Sequence, residues 1–231
     1  MSGAAFFDVD NTLMKGSALF HVGAGFVRHG LVTRRQVGRH AVQHARYRWR
    51  GEDVGQLGGV RDRALTMGAG LDVADVIRLG ERVFDERLAG RLFEGTIRLA
   101  DRHMLLGDPV WLATGAPVEL AQILARRLGF SGALGTVTEV RAGRWTGRMV
   151  GDVLHGSAKA DAVRSLADAR GYDLDECVAY TDSINDLPLL ELVGYPHAVN
   201  PDRRLRRIAV ERDWPIHDFR ARGRLVAGST R

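Results

Sequence analysis

The segment Phe6-Phe7-Asp8-Val9-Asp10-Asn11-Thr12 places two carboxylates, separated by one residue, at the end of a short apolar run. Successive side chains of a β-strand point to opposite faces, so Asp8 and Asp10 lie on the same side and can converge on one point. Two carboxylates held this close repel each other unless a cation or a shared proton compensates them. The pair therefore indicates a metal-assisted phosphoryl site, although the segment alone also fits an Asx-type turn.

A second polar segment ends the apolar run Val110-Trp111-Leu112-Ala113-Thr114-Gly115. The Thr114 hydroxyl and the backbone N–H groups around Gly115 would form an anion cradle before a helix that begins with Pro117 in its first turn and ends near Arg127. Thr114 could instead be only the cap of that helix, and the segment alone favours this alternative.

Lysine occurs at only two positions, 15 and 159, whereas the other basic residues, of 33 in all, are arginine. Lys159 lies in the first turn of a predicted helix over 156–170, where a positive charge opposes the helix dipole and so favours an anionic partner. A compact ammonium suits a tetrahedral phosphate oxygen better than a planar guanidinium does. The alternative is a solvated lysine at a helix start.

A further apolar run ends in Thr181-Asp182-Ser183-Ile184-Asn185-Asp186. Asp182 lies where a carboxylate can reach a metal, and Asp186 can orient a metal-bound water or a neighbouring side chain. Asn185 and Asp186 could merely cap a helix. Four such segments in this order are nevertheless improbable as coincidences.

The chain resembles the haloacid dehalogenase (HAD) superfamily, and more narrowly its subclass IB hydrolases related to phosphoserine phosphatase, in an ordered set of motifs: Asp8-x-Asp10-x-Thr12, Thr114-Gly115, Lys159 and Asp182-Ser183-x-Asn185-Asp186. The resemblance extends from Ala4 to about Asp218. It departs at Thr181, where the family most often has glycine, and a small residue is expected to be tolerated there.

The resemblance implies a magnesium-dependent phosphatase that hydrolyses a small phosphomonoester through an aspartyl phosphate on Asp8. Asp10 would be the general acid and base. The other implied roles are Mg²⁺ binding by Asp8, Asp182 and the Asp10 carbonyl, phosphate binding by Thr114, Gly115 and Lys159, and support from Asn185 and Asp186. A phosphotransferase that passes the phosphoryl group to an acceptor alcohol would use the same residues. A non-catalytic phosphate-binding protein is disfavoured because every catalytic position is filled.

The composition and net charge of the chain limit the kinds of partner that it can bind. The chain has 231 residues, of which 45% are hydrophobic and 26% charged, as in ordinary globular proteins. The formal net charge of +5 and a pI near 10.0 favour anionic partners, above all a small phosphorylated metabolite. Cys177 is the single cysteine, which excludes an internal disulfide and fits a buried thiol. No apolar stretch is long enough to cross a membrane and no signal peptide precedes the first motif, so we expect a cytoplasmic protein.

Short apolar runs alternate with helical patterns, which predicts an α/β fold: a Rossmann-like parallel sheet with helices on both faces. The predicted strands cover 4–7, 110–113, 177–180 and 197–199. Residues 135–140 and 145–150 are predicted to pair as a hairpin around Ala142-Gly143. An all-helical insertion over 15–90 follows the first strand and matches the cap domain that the resemblance implies, so that the core consists of 1–14 and 91–219. Residues 220–231 are expected to be a disordered tail.

The substrate is less constrained. Phosphoserine phosphatases carry a glutamate shortly after the first motif, whereas residues 13–20 contain no acid, which disfavours phosphoserine. Residues 28–50 also lack an acid, and their arginines, including Arg46, Arg48 and Arg50, could contact a second anionic group of the substrate or acidic lipid. A solvated helix face is the simpler interpretation. Tyr47 and Trp49 permit nucleotide stacking, but nothing else indicates a nucleic-acid partner. The oligomeric state is not predicted.

Overall fold

The computed structural model describes residues 3–32 and 68–220. Within them the strands are β1 (Ala5–Phe7), β2 (Val110–Pro117), β3 (Gly132–Thr136), β4 (Thr138–Arg141), β5 (Arg144–Met149), β6 (Val178–Thr181), β7 (Tyr195–Val199) and β8 (Ile216–His217). The α-helices are α1 (Ala18–Arg28), α2 (Val73–Val83), α3 (Glu94–Leu106), α4 (Val118–Leu128), α5 (Ser157–Arg170), α6 (Leu187–Leu190) and α7 (Arg203–Glu211). A π-helical turn (Phe84–Leu88) and 3₁₀ turns (Ala89–Arg91, Leu174–Glu176, Ile184–Asp186) complete the helical segments.

Six strands form one parallel sheet in the order β3-β2-β1-β6-β7-β8. Ala5 and Phe7 pack into the apolar layer on one face, which also contains buried residues of α1, α2, α3 and α4. Ala4 and Phe6 pack into the opposite layer with α5, α6 and α7. Because both faces are covered, the central strands are apolar throughout, as is usual for a parallel sheet. The predicted α/β fold with helices on both faces is confirmed.

Two strands, β3 and β8, were not predicted from the sequence. The segment Gly132-Ala133-Leu134-Gly135-Thr136 contains two glycines, which lowers its strand signal, and β8 has two residues. Gly135 is needed because α4 begins so close that a Cβ there would lie 2.7 Å from the Cα of Val118. The first predicted hairpin strand, over 135–140, was wrong at Gly135 and Thr136, which belong to β3. The hairpin itself consists of β4 and β5.

The predicted cap region follows β1 and contributes α1 and α2. The β4–β5 hairpin packs against the first residue of α2 and the segment before it through three backbone hydrogen bonds: Gly70 N–H to the Trp145 carbonyl (2.7 Å), Trp145 N–H to the Leu71 carbonyl (2.9 Å) and Val73 N–H to the Gly143 carbonyl (2.9 Å). The domain boundaries stay predictions. Arg46, Arg48 and Arg50, and the predicted tail beyond position 220, lie outside the described residues.

Cys177 is fully buried beside β6, and its sulfur accepts a hydrogen bond from the Ala4 N–H at 3.3 Å. Burial raises the pKa of this thiol, which agrees with the predicted buried cysteine. In the part of the chain that the structure describes, none of the helices is long and apolar enough to span a membrane.

Candidate active site

Three parallel strands bring the motif residues to one edge of the sheet. Asp8 directly follows β1, Asp182 directly follows β6, and Thr114 lies in the last half of β2. The Asp8 N–H donates to the Tyr180 carbonyl at 2.9 Å, which joins the ends of β1 and β6. Ligands of open α/β sheets bind beyond the carboxyl ends of the strands, so this edge is the candidate site.

Lys159 connects two of the motifs. From the first turn of α5, its Nζ donates to Asp8 Oδ1 at 2.7 Å and to Asp186 Oδ2 at 2.6 Å. The lysine side chain is only 2% exposed, so the alternative of a solvated lysine is wrong. Burial alone would lower the pKa of Lys159, but the Asp8 and Asp186 carboxylates outweigh burial and raise it above its ordinary value. The ammonium therefore stays charged inside the protein.

Asp8 and Asp182 are the carboxyl groups with raised pKa values at this edge. Burial is the largest cause for Asp8, and although Lys159 opposes it, Asp186 and Asp10 help to bring the pKa to about 6. Burial followed by repulsion from Asp8 and Asp186 raises the pKa of Asp182 to about 8. The single ammonium of Lys159 thus does not compensate all the negative charge collected here.

Asp186 anchors Lys159 through a carboxylate oxygen that also accepts a hydrogen bond from Thr181 Oγ1 at 2.8 Å. Thr181 is fully buried at the position where the resemblance leads one to expect glycine. The departure from the family pattern therefore adds a hydroxyl that orients Asp186. The other carboxylate oxygen, Oδ1, is buried and has no hydrogen-bond partner among the described residues.

The Asp10 carboxylate has a different hydrogen-bond partner from the Asp8 carboxylate. Its Oδ1 accepts a hydrogen bond from the Ala18 N–H at 2.8 Å, so the carboxylate is held at the start of α1. Between them, Asn11 adopts a left-handed backbone with φ of 59°. The Asn11 Oδ1 accepts from the Gly16 N–H at 3.0 Å. This tight loop separates the contacts of the two carboxylates that the sequence placed on one side.

Thr114 and Gly115 lie in β2 rather than at a helix cap. The pairing of β2 with β3 shifts register between Ala113 and Pro117, which leaves the intervening residues outside the regular ladder. The Thr114 Oγ1 accepts from the Ala116 N–H at 3.3 Å, and the Gly115 carbonyl accepts from Thr136 Oγ1 at 3.0 Å. The predicted helix start is corrected as well, since Pro117 is the N-cap and α4 begins at Val118.

Asn185 is the motif residue least integrated into the site. It is exposed, and its N–H donates to the Ser183 Oγ at 3.2 Å. The Asn185 side chain makes no hydrogen bond within residues 3–32 and 68–220, so its supporting role stays a prediction. Two residues that were not predicted as site residues, Asn200 and Asp202, contact the motif loops. The sequence pattern that could have identified them is an Asn-Pro-Asp turn directly after an apolar strand.

The residues at this edge fit a divalent cation. Negative charge exceeds the compensation from Lys159, and the buried Asp186 Oδ1 lacks a donor. Among the described residues, no three His, Cys, Asp or Glu side chains are grouped as metal ligands. A cation here would therefore need backbone oxygen and water beside the carboxylates, which is how Mg²⁺ is commonly bound.

Comparison with known proteins gives matches along most of the chain. The sequence model of the haloacid dehalogenase-like hydrolase family matches residues 5–191. A Mycobacterium tuberculosis protein named phosphoserine phosphatase is 47% identical over 221 residues, which span 95% of this chain and 72% of that protein. A probable phosphatase of the same organism is 36% identical over 216 residues, which span 94% of this chain and 75% of that protein.

Solved structures share the architecture. A Bordetella pertussis protein of unknown function has a TM-score of 0.82 at 26% sequence identity, and the match covers 95% of this chain and 99% of that one. A substrate-bound phosphoserine phosphatase has a TM-score of 0.63 at 20% identity, with 95% and 94% coverage. At that identity the second likeness shows the fold alone.

Proposed function

The chain belongs to the haloacid dehalogenase-like hydrolases and is a phosphatase, and from this premise we propose that it hydrolyses a small phosphomonoester with Mg²⁺ through an aspartyl phosphate on Asp8. A carboxylate is an established type of covalent nucleophile for phosphoryl groups. Hydrolysis then needs a second carboxylate that first protonates the leaving alcohol and later removes a proton from the attacking water.

The observation that carries the proposal is the asymmetric setting of the Asp8 carboxylate. Its Oδ1 is anchored on Lys159 Nζ at 2.7 Å, whereas its Oδ2 has no hydrogen-bond partner among the described residues. One oxygen is therefore fixed in place and the other is available to attack phosphorus. A nucleophile that is already oriented needs less rearrangement to reach the transition state.

Asp10 is the acid and base of this proposal. Its carboxylate is held by the Ala18 N–H, not by Lys159, so it can exchange a proton without breaking the Lys159 bridge. The same contact ties the proton-transfer group to the first helix of the predicted cap. Movement of that helix would consequently move the Asp10 carboxylate relative to the nucleophile.

Lys159, the Thr114 hydroxyl and the Gly115 N–H are proposed to bind the transferring phosphoryl group. Asp8, Asp182 and the Asp10 carbonyl would hold Mg²⁺, which when bound supplies positive charge that stabilises the developing negative charge on the phosphoryl oxygens. Asp186 keeps Lys159 oriented through the 2.6 Å contact. These residues act by positioning and by charge, which dominate phosphoryl transfer.

The substrate we infer is a small phosphorylated metabolite. The relative named phosphoserine phosphatase makes phosphoserine one compound to test. Against it, residues 13–20, which lead from the first motif into α1, contain no acid to bind an amino group. A cytoplasmic location is part of the proposal, with which the free buried thiol of Cys177 is compatible.

The test is the Asp8→Asn variant, assayed with an aryl phosphate and a panel of phosphorylated metabolites in the presence of Mg²⁺. We expect loss of turnover and of the hydroxylamine-sensitive phosphoenzyme that the wild-type protein forms. Asp161→Asn removes an exposed carboxylate that pairs with Arg164 and should behave like the wild type. Full activity of Asp8→Asn, or a phosphoryl adduct on another residue, would exclude Asp8 as the nucleophile. Product analysis with added alcohols separates hydrolysis from phosphotransfer.

A further inference from the structure

The segment Asn200-Pro201-Asp202 lies between β7 and α7, next to both loops that carry the proposed Mg²⁺ ligands. Asn200 is fully buried and has a left-handed backbone with φ of 48°. Asp202 is the N-cap of α7. Neither residue belongs to the motifs that carry the family resemblance, and neither has a role in the chemistry proposed above.

All four hydrogen-bonding groups of Asn200 have partners. Its Nδ2 donates to the Asn11 carbonyl at 2.9 Å, one residue after Asp10. Its Oδ1 accepts from the Phe219 N–H at 2.7 Å, and its N–H donates to the His217 carbonyl at 2.7 Å. Its own carbonyl accepts a hydrogen bond from the Arg220 guanidinium. Asn200 therefore fastens the first motif loop to the last strand of the sheet.

Asp202 contacts the fourth motif loop from both its backbone and its side chain. The Asp202 N–H donates to the Asp182 carbonyl at 2.8 Å, and its Oδ2 accepts from the Ile184 N–H at 2.9 Å. The other carboxylate oxygen, Oδ1, accepts from the Arg204 and Leu205 N–H groups at 2.8 Å each. One side chain thus caps α7 and holds the loop that follows β6.

We propose that Asn200 and Asp202 form a positioning clamp that holds the Asp10 and Asp182 loops in the geometry that binds Mg²⁺. The inference rests on the proposed function for the identity of the bound cation. The sheet itself cannot hold these loops, because its ladder between β1 and β6 ends at the hydrogen bond from Asp8 to Tyr180. Beyond the end of that ladder, the side chains of Asn200 and Asp202 hold the two loops by hydrogen bonds to the Asn11 carbonyl and the Ile184 N–H.

Two variants separate the halves of the clamp. Asp202→Asn keeps an oxygen to cap α7, since asparagine and aspartate are equally good N-caps, but presents an NH₂ group to the Ile184 N–H. Asn200→Gly accepts the left-handed backbone without strain and removes both side-chain contacts. Loss of groups that orient metal ligands typically weakens metal affinity about 10- to 100-fold. We expect the Mg²⁺ Kd of each variant to rise by roughly this factor.

The measurements are the Mg²⁺ Kd by calorimetry, the Tm in chelator, and amide hydrogen exchange of the peptide that contains Ile184. Asp173→Asn is the matched control, because Asp173 also caps a helical turn through the Asp175 N–H and loses the same charge. It should leave the Mg²⁺ Kd unchanged. For Asp202→Asn we expect faster exchange at Ile184 and a weaker Mg²⁺ Kd, while the Tm in chelator stays close to that of the Asp173 control.

The outcomes distinguish the clamp from the proposed function. Suppose that the wild-type protein binds Mg²⁺ and hydrolyses phosphomonoesters. If the Mg²⁺ Kd of each clamp variant then stays within about threefold of the wild-type Kd, the clamp is overturned and the proposed function is not. A wild-type protein without Mg²⁺ binding or turnover overturns the proposed function. In that case the exchange rate at Ile184 still decides whether Asp202 tethers the loop, and unchanged exchange in Asp202→Asn refutes the tether.

Discussion

Replacing Lys159 by methionine removes the ammonium and keeps a side chain of similar length. Lys159 makes the two charged contacts at 2.6 and 2.7 Å with Asp186 and Asp8, and the exposed fractions of the three side chains are 2%, 2% and 9%. The variant would leave two buried carboxylates without their common partner. A proton is then the simplest source of compensation, so the pKa of the Asp8 carboxyl group, which Lys159 now lowers, should rise further.

The size of the effect follows from this burial. Removing one partner of a buried ion pair costs about 3–5 kcal/mol in free energy of unfolding, and a protein of this length loses about 2–4 °C of Tm per kcal/mol. We therefore expect Lys159→Met to lower the Tm by roughly 6–20 °C at pH 7.5 in chelator. An acid whose folded-state pKa is raised binds more protons folded than unfolded, so its destabilising effect fades as the pH falls. The deficit should consequently be smaller at pH 5.5.

Differential scanning calorimetry at both pH values tests this reasoning, with Lys15→Met as the control. Lys15 is the other lysine, is exposed, and forms no ion pair with the described residues. Its substitution should change the Tm by no more than about 2 °C. If Lys159→Met had the same Tm as the Lys15→Met control at pH 7.5, the stabilising role of the buried ion pairs of Lys159 would be refuted. A deficit of equal size at both pH values would refute the compensating protonation.

Two further predictions concern Asp182 and His197. Chelator should abolish wild-type turnover, and Asp182→Ala should weaken Mg²⁺ binding more than binding of inorganic phosphate in chelator. Calorimetry with each ligand checks this, and chelator-resistant turnover would contradict it. Burial, then His217 and His103, lower the pKa of His197 to about 4 from 6.5, so the stability present above pH 6.5 is lost as the pH falls toward 4. His197→Phe should make Tm less dependent on pH in that window, and parallel Tm profiles for variant and wild type would exclude this source of acid sensitivity.

Several features follow from local sequence. Apolar runs that end in Asp8, Thr114 and Asp182 predicted parallel strands whose carboxyl ends meet, and the sheet order places them together. Such strands can be predicted from sequence because burial on both faces requires apolar residues, whereas polar residues are tolerated where a strand leaves the sheet. Strands with a weak apolar pattern could not be predicted in this way. The glycine-rich β3 and the two-residue β8 depend on their neighbours for their extended conformation.

The chemical groups at the ends of the strands, and their order, can be inferred from the amino-acid sequence, because propensity and apolar patterning act over a few residues. The partners of these groups depend on how distant segments come together in the fold. Lys159 and Asp8 are 151 positions apart, and Asn200 and Asn11 are 189 apart. Contacts of this kind depend on sheet order, register and the direction of each side chain. Local patterning therefore identified Lys159 as unusual but could not show that it is buried between Asp8 and Asp186, or that Asp10 is held by Ala18.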